Sequence, residues 1–190
     1  MALTVVDPVF PLAQALLECL CEQLPGTVGG DACVCCLHPG TVAPMDHCCR
    51  CEIDGQDAEG QAWVTVTRIY PTTGRFPVQQ LGEVSACNLQ RWAADMTMGV
   101  YRCAAVPDSR GNPPACDGVT HDLAKVLSDA AAMRDAVHCC FTGDDTPDVA
   151  VGEWTPVGPA GGCVGGQMTL TVGFGGCCPP PGLGATRRCC

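Results

Sequence analysis

The chain has 190 residues, 18 of them cysteine, and twenty acidic side chains against ten basic ones give a formal charge of −10. That length supports one ordinary domain with its own core, so the cysteines are surplus to what folding alone requires. The acidity argues against wrapping nucleic acid by neutralising phosphates. No apolar run approaches the roughly 18 residues that would span a bilayer.

Cysteine at this density usually marks a small secreted scaffold, yet Met1 to Gln23 carries no basic leader, long apolar stretch or small-residue cleavage site. The expectation is a soluble chain that does not use the usual export route. Charge is uneven: residues 1–60 hold nine acids against Arg50 alone, and residues 61–190 hold eleven acids against nine bases.

Asp7-Pro8 offers a cap and a first-turn proline, and Leu12, Leu16, Cys19 and Leu20 then recur at helical spacing, predicting a helix to about Gln23. Pro25-Gly26 and Gly29-Gly30 stop it. Ala32 to Glu52, ACVCCLHPGTVAPMDHCCRCE, holds six cysteines and two histidines and reads as a turn-rich loop within a cysteine-rich insertion over about 26–60. Trp63 to Tyr70, WVTVTRIY, alternates as a half-buried strand does, and MTMGVYRC, Met96 to Cys103, is a second. Pro71, Gly74, Pro77 and Gly82 punctuate a connection too long for a tight hairpin.

VPDSRGNPPACDG is a further loop, after which Thr120 caps a helix with Leu123, Val126, Leu127, Ala130, Met133 and Val137 in one apolar stripe. On that facing, a charge at Leu127 abolishes folding while loss of Asp129 is mild. Gly143 closes this helix. Val149 to Val157 reads as a strand interrupted late by Pro156, GPAGGCVGG as a flexible hairpin arm, and QMTLTVGF as a strand with Met168, Leu170, Val172 and Phe174 on one face. The order α-β-β-α-β-β predicts an α+β fold, two helices packed on a mainly antiparallel sheet with long loops. It forms a single domain over 1–175, followed by a Cys/Pro/Gly-rich tail over 176–190.

Cys33-x-x-Cys36 and Cys48-x-x-Cys51, eleven residues apart, have spacing compatible with tetrahedral zinc, so Cys33, Cys36, Cys48 and Cys51 are a candidate ligand set. Cys35 and Cys49 interleave those pairs, and twelve more cysteines lie where no zinc pattern exists. Adjacent cysteines occur five times, and neighbouring Cα atoms ~3.8 Å apart fall below the ~4.4–6.8 Å that a bridge spans. Each such pair should bond outward, to different partners. The disulfide candidates are Cys33, Cys35, Cys36, Cys48, Cys49, Cys51, Cys103, Cys116, Cys139, Cys140, Cys177, Cys178, Cys189 and Cys190, with zinc and free thiols as the open alternatives. Cys19, Cys87 and Cys163 read as small buried apolar residues. Neither CxxC opens a helix after a strand, which argues against a thioredoxin-like centre.

The enzyme signals are missing: no HExxH, no GxSxG, and no Gly-Lys-Ser/Thr after the glycines of GPAGGCVGG. Asp54, Asp57 and Glu59 lack the ligand order of a calcium loop and read as a solvated turn. His38, His47, His121 and His138 are scattered. No catalytic or cofactor-binding residue is assigned, and the expectation is a protein that is not an enzyme.

LAQALLECLCEQL, WVTVTRIYPTTGRFPVQ, MTMGVYRCAAVPD, HDLAKVLSDAAAMRDAVHCC and VGEWTPVGPAGGCVGGQMTLTVGF, together roughly residues 10–175, resemble a known family. They look like the tail-terminator or head-to-tail connector proteins of long-tailed, siphovirus-type phages of actinobacteria. The likeness lies in element order, the Arg-Cys strand and the Trp-Pro-Gly hairpin. It implies a small α/β fold whose copies form a six-fold ring on the finished tail tube and join tail to head. The implied partners are its own copies, the tail tube protein and a head-closure or other neck protein. DNA passes the lumen without specific binding, and no membrane is involved. The implied location is the virion neck, after synthesis in host cytoplasm. Another neck or minor tail protein, such as the head-closure protein, is the nearest alternative, and an intracellular zinc-binding adaptor is the alternative of a different class. A virion protein made in reducing cytoplasm that then persists outside the cell also reconciles abundant cysteine with the missing leader.

Overall fold

The computed structural model describes residues 7–53, 55–72, 75–80, 91–142 and 147–175. Helix α1 runs Val9–Gln23, and the Asp7 carboxylate accepts a hydrogen bond from the Val9 N–H at 2.8 Å at its start. Ala13, Leu16, Leu17 and Leu20 recur at three- and four-residue spacing and are buried, and a 3-10 turn, Leu24–Gly26, ends the helix at the proline the sequence offers.

Among the described residues, seven strands follow. They are β1 (Val34–His38), β2 (Arg50–Ile53), β3 (Gln56–Glu59), β4 (Gln61–Thr72), β5 (Arg91–Cys103), β6 (Val149–Ala160) and β7 (Cys163–Gly175), with helix α2 (Cys116–Cys140) between β5 and β6. Five form one sheet in the order β1-β4-β5-β7-β6, antiparallel except for the parallel pair β1/β4, and β2 and β3 make a separate hairpin. Both helices pack on one face, where Leu16 and Leu20 of α1 and Met133 and Val137 of α2 meet Val64, Met96, Met98, Leu170 and Val172. The protein is therefore α+β, with a mainly antiparallel sheet and a cysteine-rich, disulfide-bonded insertion.

Several expectations are corrected. The insertion is not purely a loop: VCCLH pairs in parallel with β4, from Val34 opposite Gln61 to His38 opposite Thr65, and the β2/β3 hairpin follows it. Strand β6 continues through Pro156 and Pro159 to Ala160. It is an edge strand, and a proline that donates no N–H is tolerated there. The hairpin expected of the glycine-rich arm is present, reversing tightly at Gly161 and Gly162, both at positive φ, with Ala160 and Cys163 paired across it.

Helix α2 starts at Cys116, ahead of Thr120. Ala115 is extended, its carbonyl accepts from the Gly118 and Val119 N–H groups, and Asp117 supplies a negative charge to the first turn. Its facing also differs from the predicted stripe. Val126, Ala130, Met133 and Val137 are buried, but Leu123 and Leu127 are 56% and 52% exposed, and Asp129 is 1% exposed. The rotation brings Asp129 to Arg102 of β5, which shares the inward register of Met96, Met98 and Val100. Gly143, Cys87, Asp54 and the tail 176–190 lie outside the described residues. Among the described residues, no helix is long and apolar enough to cross a membrane.

Candidate functional site

Among the described residues, five disulfides join segments that the fold places side by side: Cys19–Cys140, Cys21–Cys35, Cys33–Cys51, Cys48–Cys163 and Cys49–Cys103. Their Cα separations, 4.5 to 6.6 Å, lie within the range a bridge spans. Cys19–Cys140 fastens α1 to the end of α2, and Cys21–Cys35 fastens α1 to β1. The other three anchor residues 39–51, a flap over the sheet face that the helices leave open. Adjacent cysteines bond outward where they are bridged: Cys48 and Cys49 go to Cys163 and Cys103, Cys35 to Cys21 and Cys140 to Cys19.

The spaced pairs considered for zinc are not brought together as a set of four. Cys33 and Cys51 are bonded to each other, Cys48 reaches Cys163, and Cys36 sits exposed on β1. Among the described residues, Cys36, Cys116 and Cys139 have no disulfide partner and are exposed. Cys19 and Cys163, read from sequence as buried apolar residues, are half-cystines; Cys163 is indeed only 1% exposed. Cys177, Cys178, Cys189 and Cys190 lie outside the described residues. With these sulfurs bonded, no group of three or more metal-ligating side chains stands together among the described residues.

Beneath the flap lie Ala43, Cys48, Trp63, Tyr101 and Cys163. The Trp63 and Tyr101 rings are 5.4 Å apart at 42°. Gly99 makes room for Trp63: a Cβ there would stand 2.5 Å from the indole. The Trp63 N–H and the Tyr101 and Thr65 hydroxyls are buried with no hydrogen-bond partner among the described residues. Each such group costs about 1–3 kcal/mol, comparable to the roughly 2–4 kcal/mol that one bridge contributes. Three bridges, Cys33–Cys51, Cys48–Cys163 and Cys49–Cys103, add covalent anchors to the apolar packing that closes this flap. Burial pushes the Tyr101 phenol above its ordinary pKa, and burial does the same to Tyr70, whose hydroxyl donates to the Pro77 carbonyl at 2.8 Å.

On the helix side, the insertion is pinned by Arg102. Its Nε and Nη2 donate to the two carboxylate oxygens of Asp129, both at 2.8 Å. Nη1 donates to the carbonyls of Gly29, Asp31 and Glu59, and Nη2 to that of Gly30. The Arg102 side chain is fully buried, so the fork of donors is saturated by one charge and four carbonyls. Lys125 closes the same corner, 2.5 Å from Glu59 and 3.9 Å from Asp122. Glu59, with 12% of its side chain exposed, is therefore held in an ion pair and not the solvated turn that DGQDAEG suggests.

Elsewhere the features are sparser. A cleft of about 300 Å³ at the far end of the sheet is lined by Thr72, Phe76, Arg91, Trp92, Asp148 and Phe174, with Arg91 and Asp148 paired at 3.2 Å. His38 shares a hydrogen bond with the Gln61 amide, His47 lies 4.0 Å from Asp46, and His121 and His138 are exposed, so the four histidines remain apart. Asp108 organises the loop before α2, accepting from the Arg110 and Asn112 N–H groups and the Asn112 amide; these bonds, the Asn112 amide first, hold its carboxyl below the ordinary pKa. On α2, Cys116, Val119, Leu123 and Leu127 leave an apolar stripe in solvent.

No protein-family model and no curated protein matches this chain. Sequence reasoning missed Arg102 and Asp129. The available signal was a pair of opposite charges, each set inside an otherwise apolar pattern.

Proposed function

We propose that this chain is a structural virion protein, a subunit of the ring that caps the phage tail tube and joins tail to head. The observation that carries the reading is the architecture. The principal elements run α1, β4, β5, α2, β6, β7, with both helices on one face of a mainly antiparallel sheet, and this order is the feature on which the sequence resemblance rests. Two further features support it. The stripe Val119, Leu123 and Leu127 leaves apolar surface that a neighbouring copy in a closed ring can cover. The five bridges suit a protein that persists outside the cell. On this reading the role is mechanical and not enzymatic, and DNA crosses the lumen without being bound.

Image averages of intact particles, with the chain labelled, test the proposal. The expected result is a closed six-fold ring between tail tube and head. A single copy, an open filament, or a position away from the neck overturns it, and label on the head side of the ring identifies the head-closure protein instead.

A further inference from the structure

Four sulfur atoms meet where the ends of β5 and β7 pair. Cys103 and Cys163 stand directly opposite each other on these antiparallel strands. The flap lowers the neighbours Cys48 and Cys49 onto them, Cys48 bonding Cys163 and Cys49 bonding Cys103. The two bridges lie side by side, with the Cys48 and Cys49 sulfurs 3.8 Å apart. Thiolates at the corners of a tetrahedron around zinc, at Zn–S of about 2.3 Å, are themselves separated by about 3.8 Å. One edge of that tetrahedron is thus in place, and its two remaining corners are the sulfurs bonded to that edge. Side chains directly opposite across antiparallel strands have Cβ atoms about 4.5–5.5 Å apart, so Cys103 and Cys163 reach a common point as well.

We propose that Cys48, Cys49, Cys103 and Cys163, once reduced, form a tetrathiolate site for zinc or a similar divalent cation. The cluster then secures the flap as two cystines in oxidising surroundings and as one metal centre in reducing ones. Four molecules of a small thiol reduce the two cystines, yielding four protein thiols and two molecules of the small disulfide. Binding of the cation releases the four thiol protons and leaves a site of net charge −2. The surroundings suit both states. Cys48 and Cys163 are 5% and 1% exposed and pack against the Trp63 and Tyr101 rings, while Cys49 is exposed and gives reductant and metal an approach. The set shares only Cys48 with the spaced CxxC pairs, because backbone register and not sequence spacing assembles it. This inference does not depend on the virion reading.

The test uses the full chain, reduced by a small thiol, freed of metal and titrated anaerobically with Co²⁺ and then Zn²⁺. The expected result is one equivalent of Co²⁺ with the visible absorption of a tetrahedral thiolate complex, bleached by Zn²⁺. Reduction should also red-shift Trp63 emission as the flap lifts, and Zn²⁺ should reverse that shift; Trp63→Phe identifies the signal. Cys103→Ser and Cys163→Ser should each lose the cobalt absorption, whereas Cys19→Ser with Cys140→Ser should keep it. Since a serine variant can fail by unfolding, alkylation mapping of the reduced wild type with zinc decides independently. Cys48, Cys49, Cys103 and Cys163 should be protected while Cys36, Cys116 and Cys139 react, and a chelator should abolish the protection. No bound metal after reduction, or protection of a different set such as Cys33, Cys36, Cys48 and Cys51, overturns the proposal.

Discussion

Asp129→Ala should be among the most damaging single substitutions in this chain. Among the described residues it removes the only carboxylate in contact with the Arg102 guanidinium and leaves a positive charge with a fully buried side chain facing carbonyl dipoles and the Thr27 hydroxyl. Removing one partner of a buried pair costs about 3–5 kcal/mol, out of a total stability of about 5–15 kcal/mol. For a chain of this size each kcal/mol moves the melting temperature by about 2–4 °C, so the drop is roughly 6–20 °C. The carbonyls of Gly29, Gly30, Asp31 and Glu59 lose their common donor's anchor, so the start of the insertion should loosen as well. Leu127→Asp is the contrast: with Leu127 52% exposed, the change should stay within about 0.5 kcal/mol. The assay is guanidinium unfolding with bridges intact and free thiols blocked, followed by fluorescence and circular dichroism together. Asp129→Leu combined with Arg102→Met should cost less than either charge deletion alone, since no unpaired charge is then buried. Equal midpoints for Asp129→Ala and wild type, or a larger loss for Leu127→Asp, would refute the reasoning.

Gly165→Ala should cost about 3 kcal/mol or more, because a Cβ there would stand 2.0 Å from the Val100 carbonyl oxygen and that backbone cannot yield; Gly175→Ala, with nothing within 4 Å, should be near neutral in the same denaturation series. Replacing Cys19 and Cys140 together by serine should lower stability by about 2–5 kcal/mol, read from the shift in denaturant midpoint, since the bridge closes 121 residues of chain. Burial raises the pKa of Tyr101 and Tyr70 in the folded chain, so the unfolded chain gives up its phenolic protons first. Stability is then full below the ordinary tyrosine pKa of about 10 and falls as pH rises through the folded-state values. Phenolate absorbance of the native, thiol-blocked protein should titrate later than in denaturant, and coincident curves would contradict it.

The order of the two helices and four long strands was legible because it rests on local periodicity: Leu16 and Leu20 at helical spacing, and Met168, Leu170 and Val172 at strand spacing. Strand β1 was not legible. VCCLH is five residues long and pairs in parallel with a strand more than twenty residues away, so no hairpin signal adjoins it. The outward bonding of adjacent cysteines followed from Cα spacing, but their partners did not. Cys103 and Cys163 are 60 residues apart and become neighbours only through the β5/β7 register. Cys163 read as a small apolar residue because a buried half-cystine occupies the same environment as one. The facing of α2 failed for a related reason: counting apolar side chains gave Leu123 and Leu127 a weight that a single inward ion pair outvotes.

The bridges also decide what a protease can do to this molecule. The loop around Arg110 is exposed, as a site of proteolytic cutting must be. A chain severed there becomes two polypeptides, one ending in β5 and its short extension, the other holding α2, β6 and β7. Cys19–Cys140 and Cys48–Cys163 both cross that break. The halves stay laced at opposite faces of the sheet, each presenting its strand to the other, so a nick leaves the shape intact and releases no fragment. Damage of this kind is invisible until the sulfurs are reduced, and the molecule outlasts the continuity of its own backbone.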